Sequence, residues 1–320
     1  MLAASAVDLH ADDPLAGLRV GDHPEPVAAE DWVVVDVRAT SVNHHDLWTL
    51  RGVGITAGRL PMILGCDASG VDPEGREVIV HGVISEGWVG DETLDPSRTL
   101  LSERHQGTFA EKVAVPRRNL VPKPVELTWA EAACLPTAWL TAYRMLFTRS
   151  GAQPGQTVLI QGAGGGVSTA LIMLARQAGF RVWVTSRDEA KRARAVEIGA
   201  HEAFESGARL PERVDVVMET VGRATWAHSL RALKPGGRIV VSGATSGRDP
   251  SADLARVFFL QLSVVGSTMG TRPELQQLVA MCAATGLRPL IDRELPLADT
   301  REALAELAGG EVFGKIVLTV

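Results

Sequence analysis

The chain has 320 residues, 46% hydrophobic and 22% charged, with a net charge of −6; this is a globular composition, sufficient for one large domain or two ordinary ones. Charges of both signs are interspersed, which excludes a basic nucleic-acid face, and no apolar run reaches membrane-spanning length, "VFFLQLSVVG" being among the longest. The start, "MLAASAVDLHADDPLAG", has no basic n-region, and the isolated Cys66, Cys134 and Cys282 suit a reducing compartment, so a cytoplasmic protein is expected.

In chain order, the first third reads as β structure. "DWVVVDVRAT", "EVIVHG" and "TFAEKVAVP" are strand-like and separated by long loops with Pro and Gly. They predict an antiparallel β domain with little helix. From about residue 157 strand-like and helix-like segments alternate. "TVLIQ" predicts a buried strand and "VSTALIMLARQAG" a helix; "RVWVTS" and "DEAKRARAVEIG" repeat the pair. After a short "HEAFE" come "VDVVMET", the helix "RATWAHSLRALK", a "PGG" stop and "RIVVSGA". The helix "ADLARVFFLQ" then leads into "SVVGST". This alternation predicts βαβ units and a doubly wound parallel sheet with right-handed crossovers. The final "PLIDRELPLADTREALAELAGGEVFGKIVLTV" holds two more strand candidates around a helix.

Gly162, Ala163, Gly164, Gly165 and Gly166 join the strand at 157–161 to a helix whose apolar face is Val167, Ala170, Leu171, Leu174, Ala175 and Ala178. Strand, glycines and amphipathic helix together are the context of a dinucleotide fingerprint. The chain must turn sharply after Gln161 and let backbone N–H groups reach a pyrophosphate, to which the helix adds its positive end. Ser168 stands where such motifs place a third glycine. It predicts slightly wider helix–sheet spacing or a hydroxyl that caps a nearby backbone group.

At the end of the second strand an NAD-selective site would place a carboxylate for the ribose diol. Ser186 and Arg187 stand there instead, with Lys191 a helical turn farther on and Arg192 beside it. A hydroxyl with cations attracts a 2′-phosphate, so NADP is the expected cofactor. Asp188 and Glu189 read as first-turn helix residues favoured by the helix dipole.

At full length the chain resembles the medium-chain dehydrogenase/reductase superfamily, on its zinc-free quinone oxidoreductase (zeta-crystallin-like) side. The likeness lies in "SVNHHDLWTLRG", "LPMILGCDASGV", "GTFAEKVAVP", "EAACLPTAWLTAYRML", "VLIQGAGGGVS", "VDVVMETVG", "LKPGGRIVVSGATSG", "VVGSTMGTRPEL" and "FGKIVL". It implies an α/β fold: a GroES-like β-rich catalytic domain over residues 1–123 and 288–320, and a Rossmann cofactor-binding domain over 124–287. The active site would lie in the cleft between them.

Zinc alcohol dehydrogenases of this superfamily bind catalytic zinc through Cys, His and Cys. By the likeness, those positions hold Asn43, Cys66 and Thr137 here, with Asp67 following Cys66; two of the three offer neither thiolate nor imidazole. The structural-zinc lobe would occupy residues 84–104, which contain no Cys. A rival is a rearranged metal site among His44, His45, Cys66, Asp67 and Cys134; the plainer reading makes the histidines loop residues and the cysteines small buried apolar groups.

Without zinc, reduction of a saturated carbonyl loses several kcal/mol of Lewis-acid help. A quinone, enone or enal spreads the developing charge, so a few hydrogen-bond donors suffice. The likeness places Asn43 and Asp46 near nicotinamide and substrate with Thr137 opposite; Asn43 or Thr137 is the expected oxyanion donor. Asp46 orients its neighbours or anchors its loop to backbone N–H groups. Arg51, Trp48 and Trp139 are candidate substrate walls or ordinary structural residues. Thr141 resembles a cofactor contact and Tyr143 helix packing. Val221, Gly243, Ala244, Ser267, Thr268 and Met269 match strand ends flanking the nicotinamide, and Phe313, Gly314 and Lys315 the segment closing over the cofactor.

The expected activity is therefore NADPH-dependent hydride transfer to a quinone or α,β-unsaturated carbonyl. Enoyl-thioester reductases of the superfamily carry a Tyr near position 54, which is Gly54 here, so a thioester substrate is disfavoured. The alternatives are an alcohol or aldehyde dehydrogenase with an atypical zinc site, and a non-catalytic NADPH-binding protein. Family likeness also implies a homodimer whose Rossmann sheets meet edge to edge through "RVFFLQLSVVGSTMG", with no nucleic-acid or membrane partner.

Overall fold

The structure, a computed structural model, describes all residues except Glu86 and Trp88. The chain forms two compact units, Met1–Leu140 with Gly270–Val320, and Thr141–Met269. Among the described residues no helix is long and apolar enough to cross a membrane.

The first unit is built on strands. β1 (Leu2–Ala6) pairs antiparallel with β2 (Leu18–Asp22). β3 (Trp32–Ser41) alternates: Val33, Val35 and Val37 are buried while Asp36 and Arg38 are exposed, the two-residue period of a strand with one face on a core. Each valine so buried contributes about 1.5–3 kcal/mol. Helix α1 (His44–Leu50) follows at once. Then come β4 (Met62–Ile63), β5 (Ala68–Val71), β6 (Glu77–Val80), β7 (Val83–Ile84), β8 (Thr99–Leu100), β9 (Lys112–Pro116), β10 (Leu120–Pro122) and α2 (Trp129–Ala133). Helix α3 (Leu140–Tyr143), flanked by π-type turns at Leu135–Trp139 and Arg144–Arg149, carries the chain from one unit into the other.

In the second unit β11 (Thr157–Gln161), α4 (Gly166–Gln177), β12 (Arg181–Ser186), α5 (Glu189–Glu197), β13 (Glu202–Glu205), β14 (Val214–Glu219), α6 (Arg223–Ala232), β15 (Leu233–Val241), α7 (Leu254–Phe259) and β16 (Ser263–Gly266) alternate as expected. Their strands form a parallel sheet in the order β13-β12-β11-β14-β15-β16. Every residue of β11 is buried. Strand order reverses between β11 and β14, and ligands of such sheets bind outside the carboxyl ends at that point.

Back in the first unit, α8 (Arg272–Thr285) precedes β17 (Ile291–Pro296), α9 (Thr300–Gly309) and β18 (Lys315–Thr319). β18 inserts beside β3, giving the sheet order β10-β6-β5-β3-β18-β17, with β9 also pairing β3. This is the doubly wound sheet plus β-rich domain that the sequence predicts. Two local expectations differ, and one helix lies outside the predicted elements. β15 starts at Leu233, so "PGG" lies inside a strand that shifts register against β14 rather than before it. His44 and His45 open a helix and are not loop residues. The helix at 272–285 carried no predicted element.

Candidate active site

In the second unit Gly162 leaves β11 at φ +85°, a conformation open to glycine at little cost. Gly165 is the N-cap of α4, no side chain caps that helix, and its first turn holds no acidic residue. Its leading N–H groups and dipole therefore suit an anion. Ala170, Leu171, Leu174 and Ala175 are buried, as their spacing predicts. Ser168 Oγ donates to Gly165 O at 3.0 Å, joined there by Thr169 Oγ1 at 3.1 Å. The serine therefore takes the second of its two expected roles and fastens the first turn.

At the end of β12, Ser186 is buried and Arg187 exposed. Asp188 caps α5 by accepting from Lys191 N at 3.0 Å, which engages its carboxylate locally. Arg192 folds back, and its Nη1 donates to Ser186 O at 2.8 Å and Arg187 O at 3.3 Å. The sequence showed Arg192 only as a neighbour of Lys191; the helix start sets its reach.

Beyond β14 the candidates Val221, Gly243 and Ala244 come together. Ser246 donates to Val221 O through its N–H at 2.8 Å and its hydroxyl at 2.7 Å. A Cβ on Gly243 would lie 2.9 Å from Thr220 O, and one on Gly222 2.9 Å from Ala244 Cα. Ser267 N donates to Val241 O at 2.8 Å; Thr268 is exposed and Met269 buried. Thr141 is buried on α3, and Tyr143 packs against Phe147 with ring centroids 4.7 Å apart and planes tilted by 47°.

In the first unit Asp46 closes the start of α1. Its carboxylate accepts from Asn43 N at 2.7 Å and from Gly65 N at 3.1 Å, the anchoring role of its two readings. Burial pushes its pKa up to about 7, with Asp67 adding to the rise; the two N–H groups and Lys315 oppose it.

Around Asn43 the side chains form a closed array. Lys315 Nζ donates to Asn43 Oδ1 at 2.6 Å and Val42 O at 2.7 Å. Asn43 Nδ2 donates to Asp67 Oδ2 at 2.7 Å and Ser41 O at 3.1 Å. Ser41 Oγ donates to the same carboxylate oxygen at 2.6 Å, and Lys315 Nζ stands 3.5 Å from it. Asn43 thus has both amide N–H groups engaged, which leaves none for the expected oxyanion. Lys315 is 3% exposed and turned to Asn43, a placement that its "FGKIVL" motif did not suggest. Thr137 sits on the π-type turn with its hydroxyl buried and unpartnered, and such turns recur at functional sites.

Cys66 donates its S–H to Leu101 O at 3.1 Å, and burial holds the thiol well above its ordinary pKa. Cys134 donates to Ala130 O at 3.2 Å and is pushed up to about 12 by burial. Burial pulls the His45 imidazole below its ordinary pKa, and its Nε2 is unpartnered. Among the described residues no group of three or more His, Cys, Asp or Glu is placed to hold a metal. Arg51 lies 5.2 Å over the Trp48 ring, whereas Trp139 and Phe313 are fully buried. In the segment 84–104 Glu86 and Trp88 lie outside the described residues; Asp91 and Asp95 there bond Thr93, Ser85 and Ser97.

Two family models match: the alcohol dehydrogenase GroES-like domain over residues 29–125 and the zinc-binding dehydrogenase over 166–284. A quinone oxidoreductase of Lama guanicoe is 27% identical over 313 residues, 92% of this chain and 90% of that one. A solved NAD-dependent alcohol dehydrogenase is 33% identical, with full coverage of both chains and a TM-score of 0.92. The structure of a 2-octenoyl-CoA carboxylase reductase in complex with NADP and 2-octenoyl-CoA is 26% identical, covering 99% of this chain and 87% of that one, with a TM-score of 0.90. With its glycine turn, parallel sheet and interrupted β-rich unit, the chain belongs to the medium-chain dehydrogenase/reductase superfamily, in its quinone oxidoreductase-like branch.

Proposed function

We propose that the chain is an NADP-dependent oxidoreductase that reduces an activated acceptor, a quinone or an α,β-unsaturated carbonyl compound, without catalytic zinc. When bound, the reduced dinucleotide supplies the hydride. The residues present suit it. The glycine turn and the uncapped start of α4 fit a pyrophosphate; Ser186, Arg187, Lys191 and Arg192 fit a 2′-phosphate. The NADP-bound relative adds support. In this reading residues 124–287 bind the cofactor, and 1–123 with 288–320 serve the substrate.

Zinc does not suit the corresponding residues. The oxygen of Asn43 is taken by an ammonium, the Cys66 thiol is held protonated and turned to a carbonyl, and Thr137 offers a hydroxyl. The array that locks Asn43 is the observation that carries the reading: a fixed amide and ammonium stand where the family's zinc enzymes place a first ligand. An acceptor that delocalises its own charge suits such a site. The unpartnered hydroxyl of Thr137 supports it as the donor to the acceptor oxygen.

A homodimer is the assembly this reading favours. β16 ends its sheet, and Leu254, Phe258, Phe259 and Val264 on α7 and β16 are exposed, which suits edge-to-edge pairing with a second copy.

A steady-state screen of NADPH and NADH against naphthoquinone, an enone, an enal and simple alcohols tests the function. NADPH oxidation by the quinone or enone, insensitive to chelator, is the expected result. Chelator-sensitive oxidation of a plain alcohol would replace it with the zinc-dehydrogenase reading, and NADPH binding without turnover on any acceptor with a binding protein.

A further inference from the structure

A buried line of hydrogen bonds ties three strand ends of the second unit together. Gln161 ends β11 just before the glycine turn, Thr185 is next to last in β12, and Glu219 ends β14. All three, with Ser229 of α6, are fully buried. The direction of each bond follows from its neighbours. His228 Nε2 lies 2.9 Å from the Ala208 carbonyl, which fixes the ring proton there and leaves Nδ1 an acceptor. Gln161 Nε2 then donates to His228 Nδ1 at 2.9 Å and Ser229 Oγ at 3.0 Å, while its Oε1 accepts from Thr185 Oγ1 at 2.6 Å. Ser229 Oγ passes its own proton toward Glu219 Oε2 at 2.6 Å. Glu219 Oε1 accepts from Thr225 Oγ1 at 2.8 Å and from the N–H groups of Val221 and Gly222, each at 2.9 Å.

These partners of the carboxylate are neutral donors. Burying a charge among neutral groups is costly, and an apolar side chain would fill the same space. What the carboxylate adds is a fixed path for residues 220–222. Two successive backbone N–H groups converge on one oxygen, and Gly222 follows at φ +90°, where a Cβ would lie 2.6 Å from Gly247 O.

We propose that Glu219 is a positioning residue for the reduction: oriented through the Gln161–Ser229 relay, it fixes the Val221 turn against which the nicotinamide end of the dinucleotide is seated. This rests on the cofactor reading given above for Val221. It implies an asymmetry between the two ends of the cofactor. The phosphorylated adenosine end meets Ser186, Arg187, Lys191 and Arg192 at the end of β12 and the start of α5, whereas the nicotinamide end meets the turn after β14 that Glu219 holds.

The test is titration of wild type, Glu219→Gln and Ser229→Ala with NADPH and with 2′,5′-ADP, which lacks the nicotinamide. In both variants 2′,5′-ADP affinity should stay within about two-fold of wild type, while NADPH weakens about five-fold or more. Should Glu219→Gln fail to fold, Ser229→Ala decides alone, because it removes one hydroxyl and keeps the carboxylate. Equal weakening of both ligands, or no change in either, overturns the positioning role. Wild-type protein that binds neither ligand overturns the cofactor reading itself, and this inference with it.

Discussion

Lys315 Nζ lies 2.6 Å from Asn43 Oδ1, and 272 positions of chain separate the two residues. β18 brings them together by pairing antiparallel with β3, Val317 opposite Ser41. The contact fixes the amide of Asn43: its oxygen faces the ammonium, and its nitrogen faces Asp67 and the Ser41 carbonyl. A flipped amide would set N–H against N–H and oxygen against oxygen.

Replacing Lys315 with Met would leave Asp67 buried with its cation gone and Asn43 Oδ1 without a donor. The variant should lose about 3 kcal/mol or more in urea denaturation, the scale on which one-sided breaks of buried pairs fall. Lys315→Met with Asp67→Asn should recover part of that loss. A single variant as stable as wild type would show the array to be incidental.

Asp46 makes stability depend on pH. Its pKa is about 7 in the folded chain, against an ordinary 3.8. Between those values the folded state holds a proton that the unfolded state has released, so this group's contribution to stability falls as pH rises from about 4 to about 7. Comparison with Asp46→Asn isolates the term from other carboxylates. The stability of wild type relative to the variant should decline across that window and level off above it. A difference that stays flat, or grows with pH, would contradict the raised pKa.

Gly222→Ala separates backbone strain from crowding. Gly236 has a similar φ of +77° but open space around it, whereas a Cβ at Gly222 would meet Gly247 O at 2.6 Å. Gly236→Ala should cost about 1–2 kcal/mol from conformation alone. Gly222→Ala should cost measurably more in thermal unfolding. Equal losses would mean that the 243–247 loop yields freely.

Arg192→Leu tests cofactor choice. Its guanidinium is fastened at the end of β12 by two carbonyls. If it meets a 2′-phosphate, its removal should lower kcat/KM for NADPH about 10–100-fold, the worth of a charge-assisted bond, and leave NADH nearly unchanged. Parallel losses with both cofactors would assign Arg192 to the fold of α5 alone.

The sequence alone determined those features that are settled within a few residues. The glycine turn and the buried face of α4 follow from periodicity and chirality, whereas Asp188, expected in the first turn of α5, proves to be its N-cap, and the structure chose between the two roles open to Ser168. The alternation that makes the sheet parallel was likewise legible in the sequence. Tertiary structure decided the rest. In "NHHDLWTL" the local signal is Asn43 at the N-cap with Asp46 three residues on; a seven-residue helix is short to stand alone, and this one forms where Leu47 and Leu50 reach the core. The Lys315–Asn43–Asp67 array and the Gln161–Ser229–Glu219 line join residues that only strand pairing and helix packing bring together. Their partners are chosen by where burial leaves a polar atom in need of one, and that is a property of the closed fold.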